Sequence, residues 1–218
     1  VTTAALPAVR PPTNDTEERL LDAALTLFAE KGYEAASVRE IIEATGVTRP
    51  VLYYYCSSKE DLFKRLVHWK HDEAYRELGR IVSETKGCGH RLRAIIRASF
   101  AFCAADPRVP RLMFQTAYGP IILGISEFMA EVGGLRFGIV RQVMQDGLDA
   151  GELHGGDASS LALIFCCLMD QHLNVLSRLP RPERRLTPEL ADGLLNVFLH
   201  GLGTGKRGRV GLPPFVAT

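Results

Sequence analysis

No run in this chain reaches the roughly 18 to 20 consecutive apolar residues of a membrane-spanning helix. The longest candidates, such as Leu161 to Met169, are about half that length, so no membrane partner is expected. Charge of one sign is also missing: 26 Lys and Arg face 25 Asp and Glu, a net +1. Bulk charge therefore does not advertise a nucleic-acid binder, and any basic face must be local. The five cysteines, Cys56, Cys88, Cys103, Cys166 and Cys167, are odd in number and lack framework spacing. That excludes a disulfide scaffold and suits a reducing cytoplasm. There are no repeats, no useful strand alternation, and no nucleophile with a base, phosphate loop or metal-ligand set. Neither an enzyme nor a bound cofactor or metal is expected. The segment up to Asp15 has one Arg, several prolines and no long apolar core, and reads as a flexible arm rather than a secretory leader.

What remains is ordinary globular composition, 46% hydrophobic and 23% charged, and it reads as helix almost throughout. From Glu17 to Lys31, Leu20, Ala24, Leu27 and Phe28 recur at helical spacing; Asp15-x-x-Glu18 offers a capping box at the start and Gly32 an end. Ser37-Val38-Arg39-Glu40 is a second capping-box pattern, opening a short helix to Thr45 that Gly46 stops. Thr48 can cap a third helix, with Pro50 tolerated in its first turn. Ser57-x-x-Glu60 starts a fourth, running to Ser83 or Glu84. After the break at Lys86 to His90, helices are expected over about Arg91 to Ala105, Pro110 to Ala117, Ile121 to Ala150, Asp157 to Leu179 and Pro188 to Leu202. Gly133-Gly134 is expected to interrupt or kink the longest.

Two short helices joined by a glycine turn, with a longer helix on either side, form the helix-turn-helix arrangement. Its second short helix, Thr48 to Tyr55, carries three consecutive tyrosines, which a helix cannot point to one side. Val51 and Leu52, backed by Val47, are expected to face inward. Thr48, Arg49, Tyr53 and Tyr54 then point out and Tyr55 lies on the flank. Arg49 can contact guanine, Thr48 a base or phosphate, and the tyrosines phosphates or a thymine methyl. Lys59 presents a cation to the backbone of double-stranded DNA. From Ser37 to Lys70, six Lys or Arg against four Asp or Glu give only +2, a weak electrostatic footprint.

From Glu17 to Leu66 the chain resembles the TetR family of bacterial transcriptional repressors. The resemblance is carried by Leu27-Phe28-Ala29-Glu30-Lys31-Gly32-Tyr33, Ser37-Val38-Arg39-Glu40-Ile41, Ala44-Thr45-Gly46-Val47-Thr48, Leu52-Tyr53-Tyr54-Tyr55 and Ser58-Lys59-Glu60-Asp61-Leu62-Phe63. It implies DNA contact at Thr48, Arg49, Tyr53, Tyr54, Tyr55 and Lys59, with Ser37 near the phosphates. Cys56 departs from the pattern, standing where the family usually places a core Phe. The smaller side chain is expected to loosen packing by about 1 to 3 kcal/mol.

The resulting expectation is an all-α protein of about nine helices: an arm over 1–15, a three-helix helix-turn-helix DNA-binding domain over 16–66, a larger helical ligand-binding and dimerisation domain over 67–204, and a tail over 205–218. By resemblance a repressor is expected that binds a palindromic operator as a dimer and is released by a small, largely apolar effector of unknown identity; the alternatives are a helical protein-interaction module or a transcriptional activator of the same fold. An effector pocket is expected from Phe102, Met113, Phe114, Tyr118, Ile121, Phe128, Phe137, Met144, Phe165, Met169 and His172. Gln115, Asp170, Gln171, His172 and Asn174 are polar candidates for orienting the ligand, with no choice among them. The apolar helices of the C-terminal half predict a homodimer packed through Leu161, Phe165, Leu168, His172, Leu176, Leu194, Phe198 and Leu202. His68-x-x-His71 has metal-compatible spacing but reads as a surface pair, Cys166 and Cys167 as buried hydrophobes rather than a thiol sensor, and Arg178, Arg181, Arg184 and Arg185 as a solvated loop.

Overall fold

The computed structural model describes residues 12–201; the expected tail over 205–218, most of the arm, and Leu202 lie outside them. Among the described residues the chain is all-helical, with nine α-helices and a 3-10 turn at Pro182–Arg184. The helices are α1 (Asp15–Ala35), α2 (Val38–Thr45), α3 (Arg49–Tyr55), α4 (Lys59–Glu84), α5 (Cys88–Ala105), α6 (Arg108–Ala117), α7 (Ile125–Asp149), α8 (Ala158–Leu176) and α9 (Pro188–His200).

Two compact units divide the chain elsewhere than at residue 66. Among the described residues, the first runs to Ala74 and takes in Arg108–Leu135; the second holds Tyr75–Pro107 and Arg136–Gly201.

In the first unit α1 begins on Asn14, whose Oδ1 accepts from the Thr16 and Glu17 amides at 3.1 and 3.0 Å. The cap is therefore one residue upstream of the expected Asp15-x-x-Glu18 box; Asp15 is already helical. One face of α1, Leu20, Leu21, Ala24, Leu25, Phe28 and Ala29, is buried. Phe28 meets Phe63 of α4 edge-on, at 5.5 Å between ring centroids, and Tyr33 closes the cluster at 5.7 and 5.2 Å from these rings. Ser37 and Glu40 form the expected reciprocal capping box, and Gly46 takes the left-handed conformation (φ 69°) that ends α2. At α4 the box is displaced by one residue. Ser58 Oγ accepts from the Asp61 amide at 3.0 Å and Asp61 accepts from the Ser57 amide at 2.7 Å, while Glu60 pairs with Lys64 at 2.6 Å.

Helix α6 packs along α1. Arg108 forks onto Asp22 and reaches Thr26 Oγ1 at 2.8 Å. Gln115 bridges the Ala29 carbonyl and the Gly32 amide at 3.3 and 3.2 Å, with Nε2 donating to the first and Oε1 accepting from the second. Gly32 itself (φ 81°, ψ 163°) breaks the helical path inside α1.

In the second unit α5 packs against α8 and α9, and α8 against α9. Leu92, Ile95, Ile96 and Phe100 of α5 meet a core with Val140, Val143 and Met144 of α7, Ala162, Phe165 and Met169 of α8 and Leu194 and Leu195 of α9, all buried. Asp192 of α9 holds the Arg97 guanidinium of α5, and Arg91 holds Asp146 of α7 at 2.7 Å. Close approach of α5 and α7 rests on Gly147, where a Cβ would meet Cys88 Sγ at 2.7 Å. Gly133 and Gly134 lie within the span of α7 with no neighbour crowding them. The helix is not interrupted there, and neither glycine takes a positive φ. α7 starts at Ile125 rather than Ile121, after the positive φ of Gly124 (77°). Helix α8, with mean hydropathy 1.3 over an 18-residue window, is long and apolar enough to span a membrane by length and composition, which corrects the expectation that no segment is. In this fold it is a core helix, burying Ala162, Phe165, Cys166, Met169 and Leu173.

Gly32→Ala is expected to cost about 1 to 3 kcal/mol, because its dihedrals suit glycine almost alone. A Cβ there would also sit 2.8 Å from the Gln115 side-chain amide. At this chain length the thermal midpoint should fall by about 2 to 4 °C per kcal/mol. Circular dichroism melting measures it, and an unchanged midpoint would refute the strained-turn account.

Candidate nucleic-acid interface

Helix α3 has seven residues, too few to be stable alone. Leu52 is fully buried and Cys56, one turn on, is buried beside the helix end, its thiol 3.4 Å from the Leu52 carbonyl. Burial pushes that thiol up to about 11, so Cys56 is a packed neutral group rather than a reactive one. Val51 does not face inward as expected; it is exposed. The inward positions are Leu52 and Cys56, spaced i, i+4, and Val51 stands a quarter-turn away. Thr48 takes the N-cap position by its backbone alone, with no side-chain cap bond, which leaves its hydroxyl outside.

The seven residues expected at DNA separate into two groups. Thr48, Arg49, Tyr53 and Tyr54 are exposed, Tyr54 by 82% and Tyr53 by 41%. The Arg49 guanidinium lies over the Tyr53 ring at 5.6 Å and, among the described residues, has no carboxylate partner. Such a cation is pre-oriented yet available. Tyr55 and Lys59 are engaged within the unit. Tyr55 donates its hydroxyl to Asn14 Oδ1 at 3.0 Å. Lys59 donates to the Glu34 carbonyl at 3.1 Å and sits 4.5 Å over the Tyr33 ring. Ser37 is exposed but bonded to Glu40 in the capping box. Most other cations of 37–70 are also matched: Arg39 with Glu43, Lys64 with Glu60, and Arg65 with the buried carboxylate of Glu17. Among the described residues Arg49, Lys59 and Lys70 lack a carboxylate partner, Lys70 lying 4.0 Å over the Trp69 ring, and of these Arg49 is the one carried by α3.

Asn14 is the residue that reading the sequence missed. It caps α1 and receives Tyr55, so it links the first helix to the end of α3. Its signal was present: an Asn three residues ahead of Glu17 is an N-cap pattern.

The other expected sites are dispersed. Met113, Phe114, Tyr118, Ile121 and Phe128 belong to the first unit; Phe102, Phe137, Met144, Phe165, Met169 and His172 belong to the second. Tyr118 and Ile121 are on the surface, because α6 has ended at Ala117 and α7 has not begun. Met144, Phe165 and Met169 are buried in the second unit's core. His172 is bonded at Nδ1 to the Leu168 carbonyl of its own helix, 2.7 Å away. Of the expected dimer residues, Phe165, Leu176 and Leu194 are also buried within the chain; Leu161, Leu168 and Phe198 are half-buried. His68 packs on Phe128 at 4.9 Å and His71 lies 3.0 Å from Met113 Sδ, so this pair is built into the unit rather than on its surface. A cleft of about 550 Å³ in the first unit is lined by Asp15, Glu18, Arg19, Asp22, Ala23, Ala44, Trp69 and Lys70 among others, and none of the residues expected at the effector pocket is among them.

A solvent-facing short helix, delivered by a glycine turn onto a closed helical core, defines a helix-turn-helix DNA-binding protein. Comparison with known proteins carries this further. Residues 20–66 match the model of the bacterial regulatory proteins of the tetR family. The transcriptional repressor KstR2 of Rhodococcus jostii is 26% identical over 206 residues, 89% of this chain and 97% of KstR2. The transcriptional activator FasR of Mycolicibacterium smegmatis is 34% identical over 109 residues; the match spans only half of FasR and half of this chain. The crystal structure of FadR from Bacillus subtilis in complex with stearoyl-CoA has the same fold, with a TM-score of 0.73 at 20% identity, covering 85% of this chain and 99% of that one. Residues 20–66 carry the DNA-binding domain of the TetR family of bacterial regulatory proteins.

The buried Glu17 makes the base of this domain sensitive to acid. Burial raises its pKa, but the Thr13 amide and hydroxyl and the Arg65 guanidinium outweigh this and hold the carboxyl below its ordinary 4.5. A depressed pKa means stability that is present above about pH 4.5 and lost as pH falls through the folded value. Glu17→Gln should destabilise by about 1 to 3 kcal/mol at pH 7, with the gap from wild type closing below pH 4. Urea denaturation at several pH values tests this; a gap independent of pH would assign Glu17 a purely steric role.

Proposed function

We propose that this protein is a ligand-responsive transcriptional regulator that binds a palindromic operator as a homodimer and is released by a small, largely apolar effector. The observation that carries the reading is the exposed, unpaired Arg49 on α3, flanked by Thr48, Tyr53 and Tyr54. In this reading Arg49 contacts a guanine, Tyr54 and Thr48 reach phosphates or a base edge, and Ser37 lies by the backbone. Tyr55 and Lys59 act by placing the helix. The protein works in the cytoplasm on double-stranded DNA.

Dimerisation is supported by α8. Leu163, Ile164 and Val175 are large apolar side chains left exposed along it, beside exposed Cys167 and half-buried Leu161 and Leu168. A stripe of this kind calls for a partner, and two half-sites on DNA require two recognition helices. Ile164, Leu168 and Val175 replace the buried Phe165, Leu176 and Leu194 as contact residues. The effector class is supported by the apolar interior of the second unit and by FadR, which holds stearoyl-CoA in the same fold. A ligand releases DNA only by favouring the arrangement in which the two α3 helices are misplaced. Repression is the primary reading, since KstR2 is a repressor; activation is the second, since FasR is an activator.

Fluorescence anisotropy with DNA from around the protein's own gene, across a salt series, tests the reading. Specific binding at two chains per site is expected, with a shallow salt slope because few cations are free. Arg49→Ala should weaken it by about 1 to 3 kcal/mol and relax discrimination at one base position. Tyr54→Ala should weaken binding to all sites alike. Tight binding to genomic fragments that is indifferent to both substitutions would overturn the assignment.

A further inference from the structure

The second unit contains a charged pair that the DNA-binding reading does not use. Arg136 of α7 meets Asp170 of α8 fork to fork, its two terminal nitrogens donating to the two carboxylate oxygens at 2.7 and 2.5 Å. A guanidinium has five N–H donors. Asp170 takes two, and among the described residues the other three have no partner. The Nε among them is not sealed either: among the described residues, side-chain atoms both sealed from solvent and unpaired occur at His68 Nδ1 and Arg93 Nε. Arg136 keeps 26% of its side-chain surface accessible and Asp170 14%. Yet Arg136 is deep: burial opposes its charge, and chiefly the Asp170 carboxylate sustains it. A largely enclosed guanidinium that keeps an accessible, unpaired Nε–H can still take an acceptor from a ligand.

The rest of the setting is neutral. Tyr75, Cys103 and Cys166 are the other titratable groups in electrostatic reach of the pair. Burial pushes them up to about 12, 12 and 11, so none is ionised at neutral pH. The thiols also lack the thiolate character a redox sensor needs. A brace between α7 and α8 would not by itself explain the arrangement. A buried ion pair is seldom better for stability than a well-packed apolar pair, and a brace has no use for an open, unpaired donor.

We propose that Arg136 is the anchor of the effector site and takes the carbonyl oxygen of a neutral, largely apolar molecule, with Asp170 holding the guanidinium in place. This rests on the ligand-responsive reading above. The charge state selects the ligand. Asp170 already neutralises Arg136, so a ligand carboxylate would bring a second anion to one cation in a desolvated site. A ligand cation would face the guanidinium with the Asp170 oxygens already occupied. A ketone, ester or thioester oxygen accepts from the open Nε–H and adds no charge.

The test is calorimetry with methyl ketones of nine to fifteen carbons, alkyl chlorides of matched length and the corresponding fatty acids. Wild-type protein should bind ketone tighter than chloride by on the order of ten- to a hundredfold, and the acids should bind more weakly than the ketones. Arg136→Met alone leaves Asp170 buried and unpaired and risks unfolding, so the informative variant is Arg136→Met with Asp170→Leu. It should stay folded by circular dichroism, keep its DNA binding, and bind ketone and chloride alike. An unchanged ketone preference in the double variant, a preference of wild type for the acids, or no ketone binding by protein that binds DNA specifically would each overturn the assignment. Loss of specific DNA binding by wild type would instead count against the regulator reading, which the ketone titration does not measure.

Discussion

A seven-residue helix cannot hold itself together, and the function of this protein is written on one. The first turn of a helix fixes several backbone dihedrals before any hydrogen bond is gained, so α3 must borrow its stability. It does so from one buried leucine, one buried cysteine and two polar links. Leu52 and Cys56 plug it into the core. Tyr55 ties its end to the cap of α1, and Lys59 ties the start of α4 to the end of α1. The outer face is thereby released from any structural duty, and Thr48, Arg49, Tyr53 and Tyr54 stand free on it.

The same economy governs charge. The chain is nearly neutral, and in the first unit most cations near α3 are matched by carboxylates or carbonyls. Arg49, like Lys70, is held by an aromatic face rather than by an anion. A surface of this kind binds through the fit of a helix to a groove and a few placed donors more than through a cloud of positive charge. Helix α6 is part of that body: Arg108 and Gln115 attach it to α1 at both of its ends. The positive φ of Gly32 is what allows Gln115 to approach the backbone so closely.

In the second unit the apolar interior admits charge only as pairs. Arg136 and Asp170 carry opposite charges into the layer between α7 and α8 and satisfy each other only in part. Nearby thiols and a phenol remain uncharged because burial disfavours their anions. Cysteine in this protein is a small hydrophobe in four of five positions, which agrees with the absence of framework spacing in the sequence.

What the sequence determined by itself is what local interactions decide. Helical periodicity, the Ser37–Glu40 box and the left-handed Gly46 depend on residues within four positions of each other, and they sufficed for the helix-turn-helix and its outward Arg49 and Tyr54. Even there, the caps of α1 and α4 shifted by one residue, because Asn14 and Asp61 compete for the same amides as their neighbours. The tertiary structure decided everything that joins distant residues. Tyr55 finds Asn14 across 41 positions, Arg108 finds Asp22 across 86, and Arg136 finds Asp170 across 34. No periodicity records such pairings: a lone Arg in an apolar helix looks the same whether it faces water or a buried carboxylate. The exposure of Val51 and the burial of Phe165 belong here too, since which side of an apolar helix becomes core is settled by its neighbours in space.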